Sequence, residues 1–197
     1  MIQYLLIAKL ITQGKMNMIK MTQKQLRVWT PPLGSAIISD LDGCAIDSSH
    51  RQHCLPNGQL DLDDWRDSCS EPDIKLDVLT PWGFRLAELS KRKDLLIGAC
   101  TSRVLNRFDY NYITEHLHIP KNCGMIWSRP ETCRLNDADL KLKLLTEERH
   151  IFSNIDLMLA LNLGKLFFVD DLLANCQVAE NLGLQAIHVV KGINNII

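Results

Sequence analysis

A chain of 197 residues, 46% hydrophobic and 23% charged, has room for one domain with a sizeable core plus an appendage, and its composition excludes a disordered, collagen-like or disulfide-stapled protein. With 22 basic against 23 acidic residues the net charge is -1, which excludes a nucleic-acid coat or a membrane binder held by bulk charge. No apolar run approaches the roughly 20 residues of a membrane span, so function must be sought in a site.

In chain order, residues 1–34 read as a basic N-terminal arm. Residues 1–39 contain Lys9, Lys15, Lys20, Lys24 and Arg27 and no acid, leaving 17 positive and 23 negative residues, net -6, for the remainder. Lys9 interrupts the opening apolar stretch and no small-residue cleavage site follows, so a secretory signal is a poor reading. Pro31, Pro32 and Gly34 close the arm, because proline cannot continue a helix and biases the residue before it toward extended geometry. From residue 35 onward, strands are predicted at 36–39 (AIIS), 95–100 (LLIGAC), 125–127 (MIW), 166–169 (LFFV) and 186–190 (AIHVV). Helices are predicted between them at 81–93, 106–117, 137–148 and 172–183, where apolar residues recur at three-to-four spacing. This alternation predicts an α/β domain over 35–197, doubly wound on a mostly parallel sheet. Residues 47–80 have no clear period and read as a loop or cap-like insertion beside the first strand. The seven cysteines are odd in number and scattered, which points to reduced thiols and a cytoplasmic location.

The chemistry gathers at the strand ends. AIIS runs into Asp40 and Asp42, whose i, i+2 spacing puts both carboxylates on one side of an extended chain, and Gly43 permits a sharp exit. LLIGAC delivers Thr101-Ser102-Arg103, and LFFV delivers Asp170-Asp171. Ligands of open α/β sheets bind at the carboxyl ends of strands, so these tips point at one crevice. Close carboxylates repel each other unless a cation or a shared proton compensates, and oxygen-only ligands suit Mg²⁺; taken alone, the pair is ambiguous and also reads as acids capping a loop after a buried strand. Lys141, on the helix after MIW, can reach the same place. An acid cluster, a hydroxyl and a lysine together suit phosphoryl transfer.

These segments, in this order, resemble the motifs of the haloacid dehalogenase superfamily of phosphohydrolases. The match runs over residues 36–190, with the DLDG segment as first motif, Thr101 as second, Lys141 as third and FFVDD as fourth. SSHR at 48–51, TSR at 101–103, SRPE at 128–131 and DADLK at 137–141 are similar to the phosphatase half of phage polynucleotide kinase/phosphatase. The resemblance implies a Rossmann-like core with a small or absent cap. It also implies that Asp40 is the nucleophile forming an aspartyl-phosphate, that Asp42 protonates the leaving oxygen and later activates water, and that Thr101 and Lys141 bind phosphoryl oxygens. Mg²⁺ is expected on Asp40, the backbone carbonyl of Asp42, Asp170 and Asp171. DADLK favours Lys141 over Lys143 as the third-motif lysine. Cys44 and Ser102 stand where the family mostly has other small residues, which narrows the pocket without removing a catalytic group.

Arg51, Arg103 and Arg129 each lie beside a motif and are candidates to fork a phosphate or nucleotide; the competing reading is solvated arginines paired with the many acids of 47–80. Trp65, in the polar insertion, is a candidate substrate-facing wall, whereas Trp82 and Trp127 read as core. His50, His53, Cys44, Cys54 and Cys69 lack the spacing of a zinc site. The expected activity is hydrolysis of a phosphomonoester on a nucleotide or nucleic-acid end, with a small-metabolite phosphatase as the alternative. A non-catalytic phosphoacceptor module is a weaker one, because there the acid pair and the lone acceptor follow a different order.

Overall fold

The computed structural model describes residues 18–56, 61–147 and 151–190. The chain opens with β1 (Ile19–Thr22) and α1 (Gln23–Val28) and then enters β2 (Ala36–Ser39). The insertion after β2 is bracketed by the short antiparallel strands β3 (Ile46–Asp47) and β4 (Val78–Leu79). Between them lie a 3-10 turn over Ser49–Arg51, α2 (Leu62–Asp67) and α3 (Glu71–Ile74). There follow α4 (Pro81–Leu89), β5 (Leu96–Thr101), α5 (Arg107–Tyr112) with a π turn over Ile113–Leu117, and β6 (Ile126–Ser128). The chain continues through α6 (Asp137–Thr146), α7 (Ile155–Asn162), β7 (Leu166–Asp170), α8 (Leu173–Asn181) and β8 (Gln185–Val190).

Six strands form one sheet in the order β1-β8-β7-β2-β5-β6, and every pairing within it is parallel. A parallel sheet carries helices on both faces and buries its central strands on both sides, as β2 and β7, buried at every position, do here. Side chains alternate between faces with period two. Ile37, Phe167 and Val169 join Leu26, Trp82, Leu86 and Ile113 on one side. Ala36, Ile38, Leu166 and Phe168 join Leu140, Leu144, Leu157, Leu161 and Cys176 on the other. After β2 the chain builds outward through β5 and β6, then crosses back to β7 on the opposite flank, so the strand order reverses at the carboxyl end of β2. That switch point is where doubly wound folds place a ligand.

Helix starts follow local chemistry. Asn106 and Asp109 form a reciprocal capping box at α5, Asn136 caps α6 by accepting from the Asp139 amide at 2.9 Å, and Thr80 precedes Pro81 at the start of α4, each satisfying amides that a helix leaves unpaired.

The expected division at residue 34 is corrected. β1 pairs with β8 over Ile19–Thr22, a capping box on Thr22 and Gln25 starts α1, and Leu26 is fully buried, so residues 18–34 belong to the domain. The part of the basic arm before Met18 lies outside the described residues. The insertion, expected as loop or small cap, contains two short helices. α7 was not among the predicted helices, and the helix predicted at 106–117 changes to a π turn after Tyr112. All seven cysteines are free thiols, and among the described residues no helix is long and apolar enough to cross a membrane.

Candidate active site

The carboxyl ends of β2, β5 and β7 bring the motif residues together. The ladder between β2 and β7 runs one residue past β2, with the Asp40 amide donating to the Val169 carbonyl at 2.8 Å, which fixes Asp40 beside Asp170, the last residue of β7. Lys141 lies within the second turn of α6, and its buried ammonium donates to Asp40 Oδ1 and to the Cys100 carbonyl and lies 3.5 Å from Asp170 Oδ2. Lys143 is exposed, so the structure brings Lys141 and not Lys143 to Asp40. Asp170 is held in turn by the Leu172 amide at 2.8 Å and by Asn175 Nδ2 at 3.0 and 3.1 Å. Gly43 adopts φ 76°, and a Cβ there would lie 2.8 Å from Asp171 Oδ2. Only glycine meets both the backbone angle and the approach of that carboxylate.

Asp40, Asp170 and Asp171 offer carboxylate oxygens that lie within 4.8 Å of one another. Burial, together with the neighbouring Asp170 and Asp42 and against the pull of Lys141, pushes the Asp40 carboxyl up. Burial and Asp170 push Asp171 to about 6. An all-oxygen donor set whose members disfavour one another's charge is what a hard divalent cation stabilises, so these residues fit Mg²⁺. Asp42 contributes no carboxylate to this group; its side chain turns toward the insertion. A cavity of about 290 Å³ lined by Gln23, Gly43, Asp171, His188, Val189 and Val190 adjoins the acid cluster on the β8 side.

Asp42 is gripped from three directions. Ser48 Oγ donates to its Oδ1 at 2.6 Å, Thr101 Oγ1 to its Oδ2 at 3.4 Å, and Arg103 forks both oxygens through Nε, at 3.2 Å, and Nη2. Burial works to raise this carboxyl, but the Arg103 and Ser48 contacts hold it below the usual carboxylate range. Thr101 also accepts from the Arg103 amide at 3.1 Å.

The three arginines expected near the substrate are buried, and every side-chain nitrogen of each donates within the protein. Arg51 forks Asp77 at 2.9 and 2.7 Å and donates to the Ser68 carbonyl and Cys69 Sγ. Arg103 adds Asp77 and Asp109 to Asp42. Arg129 ties the Ser102 and Leu135 carbonyls, each at 2.7 Å, to Asp137 at 3.1 Å. A substrate phosphate could take one of these forks only by displacing a protein acceptor. Trp65, expected to face substrate, is 4% exposed and lies under the guanidinium groups of Arg51 and Arg103, 4.6 and 5.5 Å from its ring centre. The insertion thus places its aromatic face against one of its own cations, Arg51, and one from the core, Arg103, because a desolvated guanidinium gains from such a face. Asp77, Asp109 and Asn175 were not singled out from sequence, and Ser48 only as part of the SSHR segment. Asp109, Asn175 and Ser48 meet partners five or six residues away, at Arg103, Asp170 and Asp42, whereas Asp77 meets Arg51 and Arg103, each 26 residues away.

The fold is that of a haloacid dehalogenase-like hydrolase of known structure. A solved haloacid dehalogenase-like hydrolase from Streptococcus pneumoniae superposes with a TM-score of 0.51 at 16% identity, over 78% of this chain and 83% of that one. The chain belongs to the bacteriophage T5 5'-deoxynucleotidase family, whose model matches residues 21–197. No curated protein matches it.

Proposed function

We propose that this protein is a Mg²⁺-dependent phosphomonoesterase that removes the 5'-phosphate of deoxynucleoside monophosphates through an aspartyl-phosphate on Asp40. The observation that carries the reading is the buried contact of Lys141 with Asp40 beside Asp170 and Asp171; the family match supplies the substrate class. Asp40, Asp170 and Asp171 would hold Mg²⁺, which would supply positive charge for the phosphoryl oxygens and permit the crowded carboxylates to be ionised together.

The residues of the chain divide the remaining work. Lys141 orients the Asp40 carboxylate, which attacks phosphorus as the bond to the 5'-oxygen breaks, and the departing oxygen takes a proton from Asp42. Asp42, now a carboxylate, takes a proton from water as that water attacks the aspartyl-phosphate, which frees phosphate and returns Asp40. Arg103 and Ser48 favour the ionised form of Asp42 in the free protein, which suits the second half. The entry of an anionic phosphate beside Asp42 raises its affinity for a proton and prepares the first half. Splitting the reaction in this way replaces one difficult displacement by two easier ones.

The test is phosphate release from 5'-deoxynucleoside monophosphates compared with their 3' isomers, 5'- and 3'-phosphorylated oligonucleotides and sugar phosphates. The reading requires the 5'-mononucleotides to have the highest kcat/KM. A preference for oligonucleotide ends would instead support the likeness to polynucleotide phosphatases, and a preference for sugar phosphates would reject a nucleotide substrate altogether.

A further inference from the structure

Behind Asp42 lies a buried charge cluster that the catalytic steps above leave without a task. Arg103 is a two-edged fork. One edge, Nε and Nη2, holds both oxygens of Asp42. Its other side meets Asp77 Oδ2, 3.2 Å from both Nη1 and Nη2, and Asp109 Oδ1, 2.6 Å from Nη1. The side chains of Asp77 and Asp109 are inaccessible to solvent, and that of Asp42 is 18% exposed, so Asp42 is the member of the cluster that faces the site. Asp77 is clamped from behind: Arg51 forks its two oxygens, the His50 ring lies 3.8 Å from Oδ1, and the Tyr112 hydroxyl donates to its backbone carbonyl at 2.8 Å. Trp65 forms a plate beneath both guanidinium groups.

Arg51, Trp65 and Asp77 all come from the insertion, whereas Asp42, Arg103 and Asp109 come from the core. A guanidinium is planar and rigid, so what holds one edge fixes the direction of the other. We propose that Asp77 is a positioning residue for the proton transfer to the leaving group: from the insertion it sets the plane of Arg103, and Arg103 sets where the Asp42 carboxyl points. Asp109 alone cannot do this, because it meets only one terminal nitrogen of Arg103 and shares its carboxylate with the α5 cap. The insertion thus acts on the reaction through Asp42 and need not touch the substrate. The proposal rests on the assignment of Asp42 as proton donor.

Thymidine 5'-monophosphate and its analogue with sulfur in place of the bridging 5'-oxygen separate these roles. The oxygen leaves with a proton, whereas a thiolate, whose acid has a pKa of about 8.5, leaves without one. Because kcat/KM runs only as far as leaving-group departure, the ratio of the two values (oxygen over sulfur) reports protonation and is blind to hydrolysis of the aspartyl-phosphate. Taken on one preparation, it is also blind to any inactive fraction. Asp42→Asn should lower the ratio by about 10²–10⁴, the usual worth of general acid catalysis. Asp77→Asn should lower it by roughly tenfold or more, with the sulfur substrate little affected, and Asp77→Glu should restore part of it. If Asp77→Asn does not fold, Arg51→Lys, which keeps the charge but loses the fork on Asp77, should show the same loss in milder form. An unchanged ratio in Asp77→Asn, or in Arg51→Lys where that variant is the one measured, beside a lowered one in Asp42→Asn, overturns the proposal and leaves Asp42 as donor. An unchanged ratio in Asp42→Asn removes the donor assignment and the proposal with it. A wild-type protein inactive on thymidine 5'-monophosphate refutes the nucleotide reading itself.

Discussion

The proposed mechanism gives Asp40 three tasks that conflict in the absence of its neighbours: to be buried, to carry charge and to attack an anion. Lys141 answers the first two, since its ammonium is the nearest compensating charge to the carboxylate. Replacing Asp40 by Asn keeps shape and volume but removes the attacking oxyanion. Turnover should fall below about 1% of wild type with an unchanged circular dichroism spectrum, and phosphate release by the variant above that level would exclude Asp40 as the nucleophile. Gly43 makes a different demand. Its φ of 76° and the 2.8 Å approach of Asp171 Oδ2 to its missing Cβ mean that Gly43→Ala must both strain the backbone, by about 1–2 kcal/mol, and push Asp171 away. The Mg²⁺ concentration for half-maximal rate should rise while KM at saturating Mg²⁺ changes little; a titration of rate against Mg²⁺ tests this.

At the scale of elements, α7 shows how packing without catalytic duty is recognised. Its Leu157 and Leu161 are buried in the cluster that also receives Phe168 and Leu144, while Ile155, Leu159 and Leu163, on its opposite side, are exposed. Leu157→Ala should cost about 2–5 kcal/mol through lost burial and a residual cavity. Denaturant unfolding gives the loss, and kcat per folded molecule should not change, because α7 supplies no residue to the acid cluster. α1 differs in that it touches the wall of the site: Gln23 donates to the Cys44 carbonyl and accepts from the Trp82 amide, both at 2.9 Å, so the first helix braces the turn that carries Asp42 and Gly43.

For the whole molecule, the acid cluster opposes folding in the absence of a cation, since burial pushes Asp40, Asp170 and Asp171 upward and the charge of Asp170 adds to the rise of Asp40 and Asp171. A ligand that binds only the folded state stabilises it by about 2.7 kcal/mol at a hundred times its Kd. For a protein of this size that is a rise in Tm of about 5–10 °C. Thermal unfolding with and without Mg²⁺ should show that rise, chelator should abolish both it and the activity, and Asp171→Ala should shrink it. Equal melting temperatures at saturating Mg²⁺ and in chelator would contradict metal binding by these carboxylates.

The strand runs 36–39 and 166–169, the acid pairs that end them, and the helical period around Lys141 are properties of short stretches of chain. Period and punctuation are local physics, so the α/β class, the parallel sheet and the placement of Asp40, Asp42, Thr101, Asp170 and Asp171 at the carboxyl ends of strands could be read before any folding, whereas the choice of Lys141 over Lys143 came from the family resemblance. β1 and α1 could not, because IKMT is too short and too polar to signal a strand. It becomes one only because β8 offers an unpaired edge. Nor could the fate of the arginines be read. Arg51, Arg103 and Arg129 lie beside motifs in the chain and look available, but Asp77 is 26 residues from both Arg51 and Arg103, and Asp42 is 61 residues from Arg103. An ion pair across that separation depends on which loops the sheet brings together. Local sequence therefore determined the acidic edge of the sheet, and the tertiary structure decided which charges remain available at it, because a buried charge must find its partner wherever the chain passes near.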